Sequence, residues 1–531
     1  MTQAFCQQFW QHKLCGFLEN SLWQAAGSAI TSAEAVRQSL RCLEARDVSD
    51  RTHPLEFLVP PAILDCADAQ KVFWWFWRCF PQAIANANHA NANPVSAQAG
   101  GLASDSQFDV NWDWSHASVS AALAGARAGY LATRSPGSTL NPPERRSQPH
   151  LALFKFTPVF DLLQTSQTEQ EIWAGSWISH YLAAKICWRI ARKYGPDTFL
   201  SPYLYAHSWI DYWLLQQYPD FGQWITTPTA EARMQSQFPN TLMMILPDNG
   251  TDPNVAKHHP VWATMIYAEQ TLKQEWLALS HQIVTTLHTP QIERQMGDLK
   301  RKEQWLESSW QPYWVALPIP DDRTSASQDA SELAKSNPTA IIPSKPTHLT
   351  SAHSSPVQAS LLQQAHSCLQ RLEHSKLWKL PTLFSCYSVD AATQAGKALE
   401  AHQNLEQESH QGVHQTINQL IQHKLPSILP DLIASESKEW RHCTELPAFQ
   451  WRVLALINWR QAATEQHPDA VAELTATAAF NHALLTFSQH HLLGLMQRHQ
   501  AQLLWSTPGC LLASLPLQGW QDWVWDLQQA W

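Results

Sequence analysis

The sequence has little charge and no excess of basic residues. Only 15% of its 531 residues are Asp, Glu, Lys or Arg, and the formal net charge is −9. A protein that binds nucleic acid without help usually carries a basic surface. Any contact of this chain with RNA or DNA is therefore expected to be local or shared with partner proteins.

Long hydrophobic runs are absent as well. No stretch reaches the roughly 20 apolar residues that span a bilayer, and the first residues lack the apolar region of a signal peptide. The ten cysteines are scattered along the chain, which is typical of reduced, mostly buried thiols. These absences predict a cytoplasmic protein without disulfides.

Several common functional motifs are missing too. The sequence contains no GxGxxG, P-loop, GxSxG or HExxH motif, so ordinary nucleotide-binding and hydrolase assignments lack support. It also has no CxxC pair, and its other cysteines and histidines do not have the spacing of a zinc ribbon or finger. We expect neither a cofactor nor a bound metal.

Aromatic residues are abundant instead. The chain has 27 Trp, 18 Phe and 10 Tyr, which can fill hydrophobic cores and can also anchor protein interfaces. From composition alone, a Trp-rich interaction protein is therefore one hypothesis for the function, with packing alone as the simpler explanation of the aromatic content.

Length and composition predict several domains. A chain of 531 residues is long enough for roughly three or four domains, each with its own core. Segments rich in Asn and Ala, or in Pro and Ser, divide it. The predicted division is a helical domain at 1–131 with a low-complexity insertion at 83–106, a linker at 132–149, an α+β domain at 150–318, a disordered linker at 319–356, a helical middle domain at 357–445 and a last α+β domain at 446–531.

The local pattern is clearest in the domain at 150–318. Leu151–Phe156 reads as a strand, an amphipathic helix follows from Glu169 to Gly195, and Gln235–Pro247 reads as another strand. A second helix opens at Pro260. The order strand, helix, strand, helix indicates a ferredoxin-like α+β unit, although periodicity alone fits any α+β domain with an amphipathic helix.

Three motifs in this domain carry a family resemblance. The segments WAGSWISHYLAAK, YGPDTFLSP and FPNTLMMILP occur in that order and together resemble the first palm-like domain of the large subunit of type III CRISPR effector complexes, most closely the Cmr or III-B kind. The resemblance implies an α+β multidomain protein with a helical HD-like domain, a ferredoxin-like palm domain, a helical middle domain and a partial second palm domain.

The N-terminal motif departs from the family at its metal-binding pair. The family carries a His-Asp pair in a context similar to FWQxKLxxLLHDP, whereas this chain reads FWQHKLCGFLEN, with Glu19 and Asn20 in place of His-Asp. Asn is a poor metal ligand and a lone Glu cannot hold two metal ions. The resemblance therefore implies a nuclease-dead structural domain, with a rewired metal site as the alternative.

The second palm domain departs from the family at its first strand. Trp451–Ile457 looks like this strand, but it leads to Asn458 and Arg460, where the family has an acidic turn. Two-metal chemistry on nucleotide phosphates requires carboxylates to balance the cations. Arg460 would instead repel a divalent metal.

The hairpin of the second palm domain departs in the same way. Gln502–Leu517 (QLLWSTPGCLLASLPL) resembles the family hairpin LVYAGGDDVLALLPL, and its turn residues are Thr507, Pro508, Gly509 and Cys510. They occupy the positions of the Gly-Gly-Asp-Asp sequence and contain no carboxylate. We therefore predict that the chain is not an enzyme and makes no cyclic oligoadenylate; an accidental match of the hairpin is the alternative.

The most concentrated basic cluster in the sequence consists of Arg294, Lys300, Arg301 and Lys302. These side chains could contact a nucleic-acid backbone. A solvated helix face is the other interpretation.

The resemblance implies a shortened, non-catalytic scaffold subunit in a type III-B-like complex for antiviral defence. Its partners would be guide CRISPR RNA, bound at the end that holds the 5′ handle, target RNA, and handle-binding, backbone and small helical subunits. An alternative is a split enzyme whose nuclease or cyclase site is completed by another chain. The family normally continues beyond the hairpin, and an exposed face with Trp520, Trp523, Trp525 and Trp531 would favour a partner that supplies the rest.

Overall fold

A computed structural model describes most of the two α+β regions and parts of the helical ones. The described residues are 9–17, 59–80, 106–129, 147–157, 169–229, 232–233, 237–248, 260–287, 310–320, 360–377, 452–458, 470–507 and 510–530. The predicted mixed α+β class is confirmed, with two antiparallel sheets and a larger share of helix. None of the described helices is long and apolar enough to cross a membrane.

The elements are numbered in chain order. The helices are α1 (9–17), α2 (Pro61–Leu64), α3 (Ala69–Arg78), α4 (Ser106–Ala128), α5 (Glu169–Tyr194), α6 (Ser208–Gln217), α7 (Pro260–Leu287), α8 (Leu361–Leu377), α9 (Ala470–Phe487), α10 (Leu493–Arg498) and α11 (Trp520–Ala530). The strands are β1 (Gln148–Thr157), β2 (Phe199–Ser201), β3 (Thr241–Asp248), β4 (Gln311–Pro318), β5 (Arg452–Asn458), β6 (Gln502–Thr507) and β7 (Cys510–Pro516).

The first sheet has the strand order β2-β3-β1-β4, with antiparallel pairing throughout. Helix α5 lies between β1 and β2 along the chain, and α7 lies between β3 and β4. These strands and helices have the βαββαβ connectivity of a ferredoxin-like unit. We call β1 to β4 with α5 and α7 the first unit.

Helix α5 ends because the next residue has a backbone conformation that suits glycine. Gly195 has φ +100°, and a Cβ atom there would lie 2.7 Å from Nζ of Lys13. The predicted helix beginning at Glu169 is thus confirmed, with Tyr194 as its last residue. The predicted helix start at Pro260 is confirmed as well.

One predicted strand is shorter than expected at its start. The pattern predicts a strand over Gln235–Pro247, whereas β3 begins at Thr241. The backbone N–H groups of Gln237 and Phe238 donate to Nδ1 of His180 on α5, at 2.9 and 3.0 Å. Because these donors are used by a side chain, this stretch does not join the strand ladder.

Both faces of the first sheet are buried. Alternate residues of each strand belong to different hydrophobic clusters, as the two-residue period of a strand requires. One cluster includes α5 and α7, and the other includes α4, α8 and α9. The residues facing α5 and α7 include Ala152, Phe154, Leu242, Met244, Trp314 and Ala316, and those facing the other helices include Leu151, Leu153, Met243, Ile245, Val315 and Leu317.

The N-terminal helices pack against the same side as α5. Helices α1 and α4 approach closely, because Gly16 lies where a Cβ atom would be 2.8 Å from the carbonyl oxygen of Ser120. Helix α3 contributes a run of buried aromatic side chains, which are Phe73, Trp74, Trp75, Phe76 and Trp77. Much of the aromatic content of the chain therefore fills this core.

The second sheet has the order β5-β7-β6, again antiparallel. The predicted strand at Trp451–Ile457 is observed as β5, and α9, a π-helical turn and α10 follow along the chain. We call β5 to β7 with α9 to α11 the second unit. Its β7 face carrying Leu511 and Ala513 packs on α10 and α11.

The predicted domain division stays a prediction. The insertion at 83–106 and the linkers at 132–149 and 319–356 fall almost entirely outside the described residues, although β1 takes in the end of the first linker. Of the predicted middle domain at 357–445, the structure describes a single helix, α8.

Candidate functional site

The structure brings the predicted degenerate positions of the second unit together. Asn458, the last residue of β5, is the direct pairing partner of Cys510 at the start of β7. On its other side Cys510 pairs with Thr507 of β6. The three residues therefore form one row across the end of the sheet, while Pro508, Gly509 and Arg460 lie outside the described residues.

This row offers an amide, a hydroxyl and a thiol. Burial raises the pKa of the Cys510 thiol above its ordinary value, so the thiol stays protonated near neutral pH and is a poor metal ligand. Divalent ions that bridge phosphates prefer carboxylate oxygens, and none of Asn458, Thr507 and Cys510 supplies one. Across the described part of the chain, no group of three or more His, Cys, Asp or Glu side chains is arranged to hold a metal.

The N-terminal motif is part of a hydrophobic core. Phe9, Trp10, Leu14 and Phe17 of α1 are buried among the aromatic residues of α3 and α5. Glu19 and Asn20, which replace the metal-binding pair, lie outside the described residues, so the prediction of a dead nuclease site stays a prediction.

Lys13 of α1 is the one buried cation of this motif. Its Nζ lies 2.8 Å from Oδ1 of Asp197 in the YGPDT turn, and both side chains have at most 1% exposure. Nζ also donates to the carbonyl oxygen of Tyr194 and to Oγ1 of Thr198, the latter at 3.3 Å. These contacts join α1 to the turn between α5 and β2, and we call them the Lys13 clamp.

Holding charges in the Lys13 clamp costs free energy, because both side chains are buried away from solvent. Burial lowers the pKa of the Lys13 ammonium, although Asp197 acts in the opposite direction. Burial likewise raises the pKa of the Asp197 carboxyl to about 6, against the effect of Lys13. The rings of Phe9 and Phe73 lie 5.3 and 5.4 Å from Nζ and add cation–π contacts. The charges are therefore stable in this place only as a pair.

A second clamp joins α3 to α6. The guanidinium of Arg78 binds both carboxylate oxygens of Asp211, at 2.7 and 2.6 Å, in a buried bidentate pair. Burial disfavours the charged form of Arg78, but the interaction with the Asp211 carboxylate is stronger. The pKa of Arg78 is therefore raised above its ordinary value. Such planar pairing is specific in geometry, and it fixes the angle at which α3 meets the first unit.

Two buried histidines lie beside α5. His180 accepts two backbone hydrogen bonds through Nδ1, as described above, so its proton is on Nε2. Burial lowers the pKa of His180 to about 3 and lowers the pKa of His207 well below its ordinary value. Their rings are 5.9 Å apart between centroids. Both imidazoles are therefore neutral at physiological pH, and His180 holds the segment that precedes β3.

A row of cations lies on the accessible side of α5. Lys185, Arg189, Arg192 and Lys193 follow one another at spacings of four, three and one residues, which places them on one helix face. They are partly or fully exposed, whereas the residues between 182 and 191 that separate them are buried. We call this row the α5 cation row.

Acidic neighbours neutralise part of this row. Glu275 of α7 lies 3.6 Å from Lys185 and 2.6 Å from Arg189. Lys273 on the same helix is exposed and adds a positive charge, while Glu269 adds a negative one. Among the residues named here, five are cations and two are anions. The cluster predicted from the sequence, Arg294, Lys300, Arg301 and Lys302, lies outside the described residues and stays a prediction.

Sequence analysis missed both the Lys13 clamp and the role of His180. The residues that make these contacts lie within the motifs: Lys13 in FWQHK, Asp197 in YGPDT and His180 in WISHY. Lys13 lies four residues after Phe9, on the apolar face of its helix, and a lysine in that position needs a buried partner. The position of Lys13 in the sequence thus indicates a buried partner, but the sequence does not identify that partner.

The fold first defines a class of protein by the architecture of its two units. It has a complete βαββαβ unit whose sheet is buried on both faces, followed by a second unit of the order βαββ with a further helix.

A comparison of the sequence with models of known protein families then gives a more specific similarity. Residues 151–281 match the family model described as CRISPR-associated protein Cmr2, N-terminal. This segment includes the three motifs in the first unit. The predicted resemblance is thereby confirmed for this segment, which is similar to the N-terminal region of the Cmr2 family.

Two solved structures are similar to the chain. One is "Type III-B Cmr-beta Cryo-EM structure of the Apo state", with a TM-score of 0.42 and 10% identity over 95% of this chain and 69% of that chain. The other is "Cryo-EM structure of the Type III-B Cmr-beta bound to cognate target RNA", with a TM-score of 0.29 and 12% identity over 53% of this chain and 30% of that chain. No curated protein matches the sequence.

Proposed function

We propose that the chain is the large subunit of a type III-B-like CRISPR RNA-guided complex and that it acts there as a scaffold, without catalysis of its own. The match of residues 151–281 to the Cmr2 family supports the assignment to such a complex. The row formed by Asn458, Thr507 and Cys510 carries the non-catalytic part of the proposal.

The physical reason lies in the charge of the row. In a palm-like site, metal ions bind carboxylates at the strand ends and contact the nucleotide phosphates. Here the adjoining positions on three neighbouring strands are an amide, a hydroxyl and a protonated thiol. Two divalent cations at this edge would keep their mutual repulsion with no anion from these residues to balance it.

The scaffold role requires contact with RNA and with other subunits. A similar structure is bound to cognate target RNA, and we propose guide and target RNA, with handle-binding, backbone and small helical subunits, as partners of this chain. In guided complexes, base pairing reads the sequence while protein groups contact the backbone. Within the described residues, the α5 cation row is the best candidate for such contacts.

Assembly and product formation test this function together. The tagged chain is expected to copurify with repeat-derived guide RNA and Cmr-type subunits, and the complex is expected to make no cyclic oligoadenylate when cognate target RNA is added. Product formed by the complex and lost in the Cys510→Ala variant would contradict the scaffold proposal. It would show that another chain completes the site, as in a split enzyme.

The RNA contact has a separate test. The double variant Arg192→Glu with Lys193→Glu is expected to weaken RNA binding and to reduce the slope of log K against log salt by about 1.4, since each lost single-strand phosphate contact removes about 0.7. Arg498→Glu is the matched control, because Arg498 is an exposed cation of the second unit. An unchanged slope in the double variant would exclude the α5 cation row as the contact surface.

A further inference from the structure

Five buried polar and aromatic residues lie where the N-terminal helices and the two units meet. They are Trp77 of α3, Ser115 and Ser118 of α4, Tyr203 in the segment that follows β2, and His482 of α9. Each of them is at most 4% exposed. Because α9 belongs to the second unit and β2 to the first, these residues join three parts of the molecule. We call them the junction cluster.

Hydrogen bonds connect the members of the junction cluster from end to end. Nε1 of Trp77 donates to Oγ of Ser118 at 3.1 Å. The phenol of Tyr203 makes side-chain hydrogen bonds with Ser118 and with Ser115. Oγ of Ser115 lies 3.3 Å from Nδ1 of His482, and the rings of Tyr203 and His482 are stacked with centroids 4.5 Å apart. The chain of hydrogen bonds therefore runs from α3 through α4 and the segment after β2 to α9.

The first donor determines the direction of this chain. The indole N–H of Trp77 can only donate, whereas each hydroxyl group can accept and has one hydrogen to donate. Burial raises the pKa of the Tyr203 phenol, so this group keeps its hydrogen near neutral pH. All members are satisfied when Ser118 donates to Tyr203, which donates to Ser115. Ser115 then donates to Nδ1 of His482.

The opposite direction is unfavourable. If Nδ1 of His482 donated to Ser115, the hydroxyl of Tyr203 would donate to Ser118. Ser118 would then accept from two donors, and its own hydrogen would have no acceptor within the cluster. A buried donor without a partner is costly. Nδ1 of His482 is therefore an acceptor, and the hydrogen of the neutral ring is on Nε2.

We propose that the junction cluster couples the position of α3 to the packing of α9. Trp77 sets the direction of donation and thereby fixes the Nε2–H tautomer of His482, which lies on another helix and is connected to it through three hydroxyl groups. When α3 moves away, both directions of donation become equivalent, and the hydrogen bond between α4 and α9 weakens. Displacement of the N-terminal helices therefore loosens the second unit from the first. The coupling uses only buried side chains of this chain, so it does not depend on the proposed RNA-guided function.

The tautomer of His482 is the direct test. In the full-length chain with ¹⁵N-labelled histidine, long-range ¹H–¹⁵N spectra report which ring nitrogen carries the hydrogen, and His482→Gln assigns the signal. We expect the Nε2–H tautomer in the unmodified chain and a mixture of both tautomers in Trp77→Phe, which keeps a ring but lacks the indole N–H. The Nδ1–H tautomer in the unmodified chain would overturn the proposal, whether or not any variant folds. A single unchanged tautomer in Trp77→Phe would overturn it as well.

Trp74→Phe is the matched control for this substitution. Trp74 lies on the same helix and is fully buried, but its indole N–H has no hydrogen-bond partner among the described residues. The control therefore changes the packing of an aromatic ring without removing a hydrogen bond. We expect His482 to keep the Nε2–H tautomer in Trp74→Phe. A mixture of tautomers in this variant would assign the effect to packing and contradict the role of the hydrogen bond.

Hydrogen exchange tests the coupling between the helices. Trp77→Phe is expected to speed the exchange of the α9 amides by about tenfold, because a buried hydrogen-bond donor is lost. In a chain that already carries Tyr203→Phe, the hydrogen bonds are interrupted, so Trp77→Phe is expected to add less than about twofold. Trp74→Phe is expected to have the same effect with and without Tyr203→Phe. Equal effects of Trp77→Phe in both chains, or no effect in either, would overturn the proposal.

Discussion

The two units share a strand order but differ in how completely they are enclosed. In the first, the central strand β1 has a neighbour on each side, and helices cover both faces of the sheet. In the second, the corresponding strand β5 has one described neighbour, and three exposed apolar residues follow β7. Within the described residues, the same strand order is therefore more completely enclosed in the first unit than in the second.

The two units also differ in their polar residues. The first unit and the helices packed against it contain buried polar contacts with defined partners, namely the Lys13 clamp, the Arg78–Asp211 pair and His180 with its two backbone donors. At the end of the second sheet, where the resemblance implies catalytic carboxylates, the described residues are neutral. The polar residues named here from the motifs therefore have structural partners.

Breaking the Lys13 clamp is expected to have the largest effect on the first unit. Lys13→Met leaves the carboxylate of Asp197 buried and unpaired, which costs about 3–5 kcal/mol of unfolding free energy. The double variant Lys13→Met with Asp197→Asn removes both charges and is expected to recover most of that loss. Urea unfolding measures both effects. Equal losses in the single and double variants would contradict the pairing of these charges.

Acidification tests the buried histidines of the first unit. The unfolded chain protonates a histidine near pH 6.5, whereas folded His180 stays neutral down to about pH 3. The stability contributed by neutral His180 is therefore complete above pH 6.5 and is lost as pH falls, by about 2 kcal/mol between pH 7 and pH 5. The variant His180→Asn keeps an acceptor but cannot be protonated, so its stability is expected to fall less over this range. An identical pH dependence would contradict the burial of a neutral ring.

Overpacking α9 tests the connection between the two units. Ala478 is 1% exposed in the cluster that α9 shares with the first sheet. Ala478→Leu is expected to lower the unfolding free energy by about 1–3 kcal/mol and to destabilise both units, because α9 belongs to the second unit and covers the first. Ala479→Leu, at the neighbouring and partly exposed position, is the control. A loss confined to the second unit, by hydrogen exchange, would contradict this packing.

The smallest effect is expected on the open surface of the second unit. Trp525→Ser is expected to change the unfolding free energy by no more than about 0.5 kcal/mol, since Trp525 is exposed. Trp523→Ala on the buried side of the same helix is expected to cost about 3–5 kcal/mol. Thermal unfolding of the isolated chain measures the loss of stability in each of the two variants. Comparable losses would mean that Trp525 packs within the chain.

Sequence analysis predicted the parts of the fold that rest on periodicity. Strand β1 and helices α5 and α7 follow from alternation and helix-start residues, whereas the hairpin β6–β7 was predicted from the resemblance. The predicted start of β3 was wrong, because the backbone N–H groups of Gln237 and Phe238 donate to the distant His180 side chain instead of to a neighbouring strand. Of the four tryptophans whose common exposure would have favoured a partner, Trp523 is fully buried, whereas Trp520 and Trp525 are exposed; Trp531 lies outside the described residues.

The candidate site could be predicted in part. Spacing and resemblance placed Asn458, Thr507 and Cys510 at the same site, and the strand register makes them neighbours. The clamps could not be predicted, because a single sequence does not show that residues 13 and 197, more than 180 positions apart, are in contact. The α5 cation row was not recognised, since its four cations stand out only when the buried residues between them are known.

The cover that α9 provides over the first sheet has a consequence for the order of synthesis. The last strand of that sheet ends at Pro318, but Ala478 comes roughly 160 residues later, which is about 8–30 s of translation. During this time the region of the sheet that α9 covers is an exposed apolar surface on the growing chain. We therefore expect the nascent protein to depend on a ribosome-associated chaperone until α9 has left the exit tunnel.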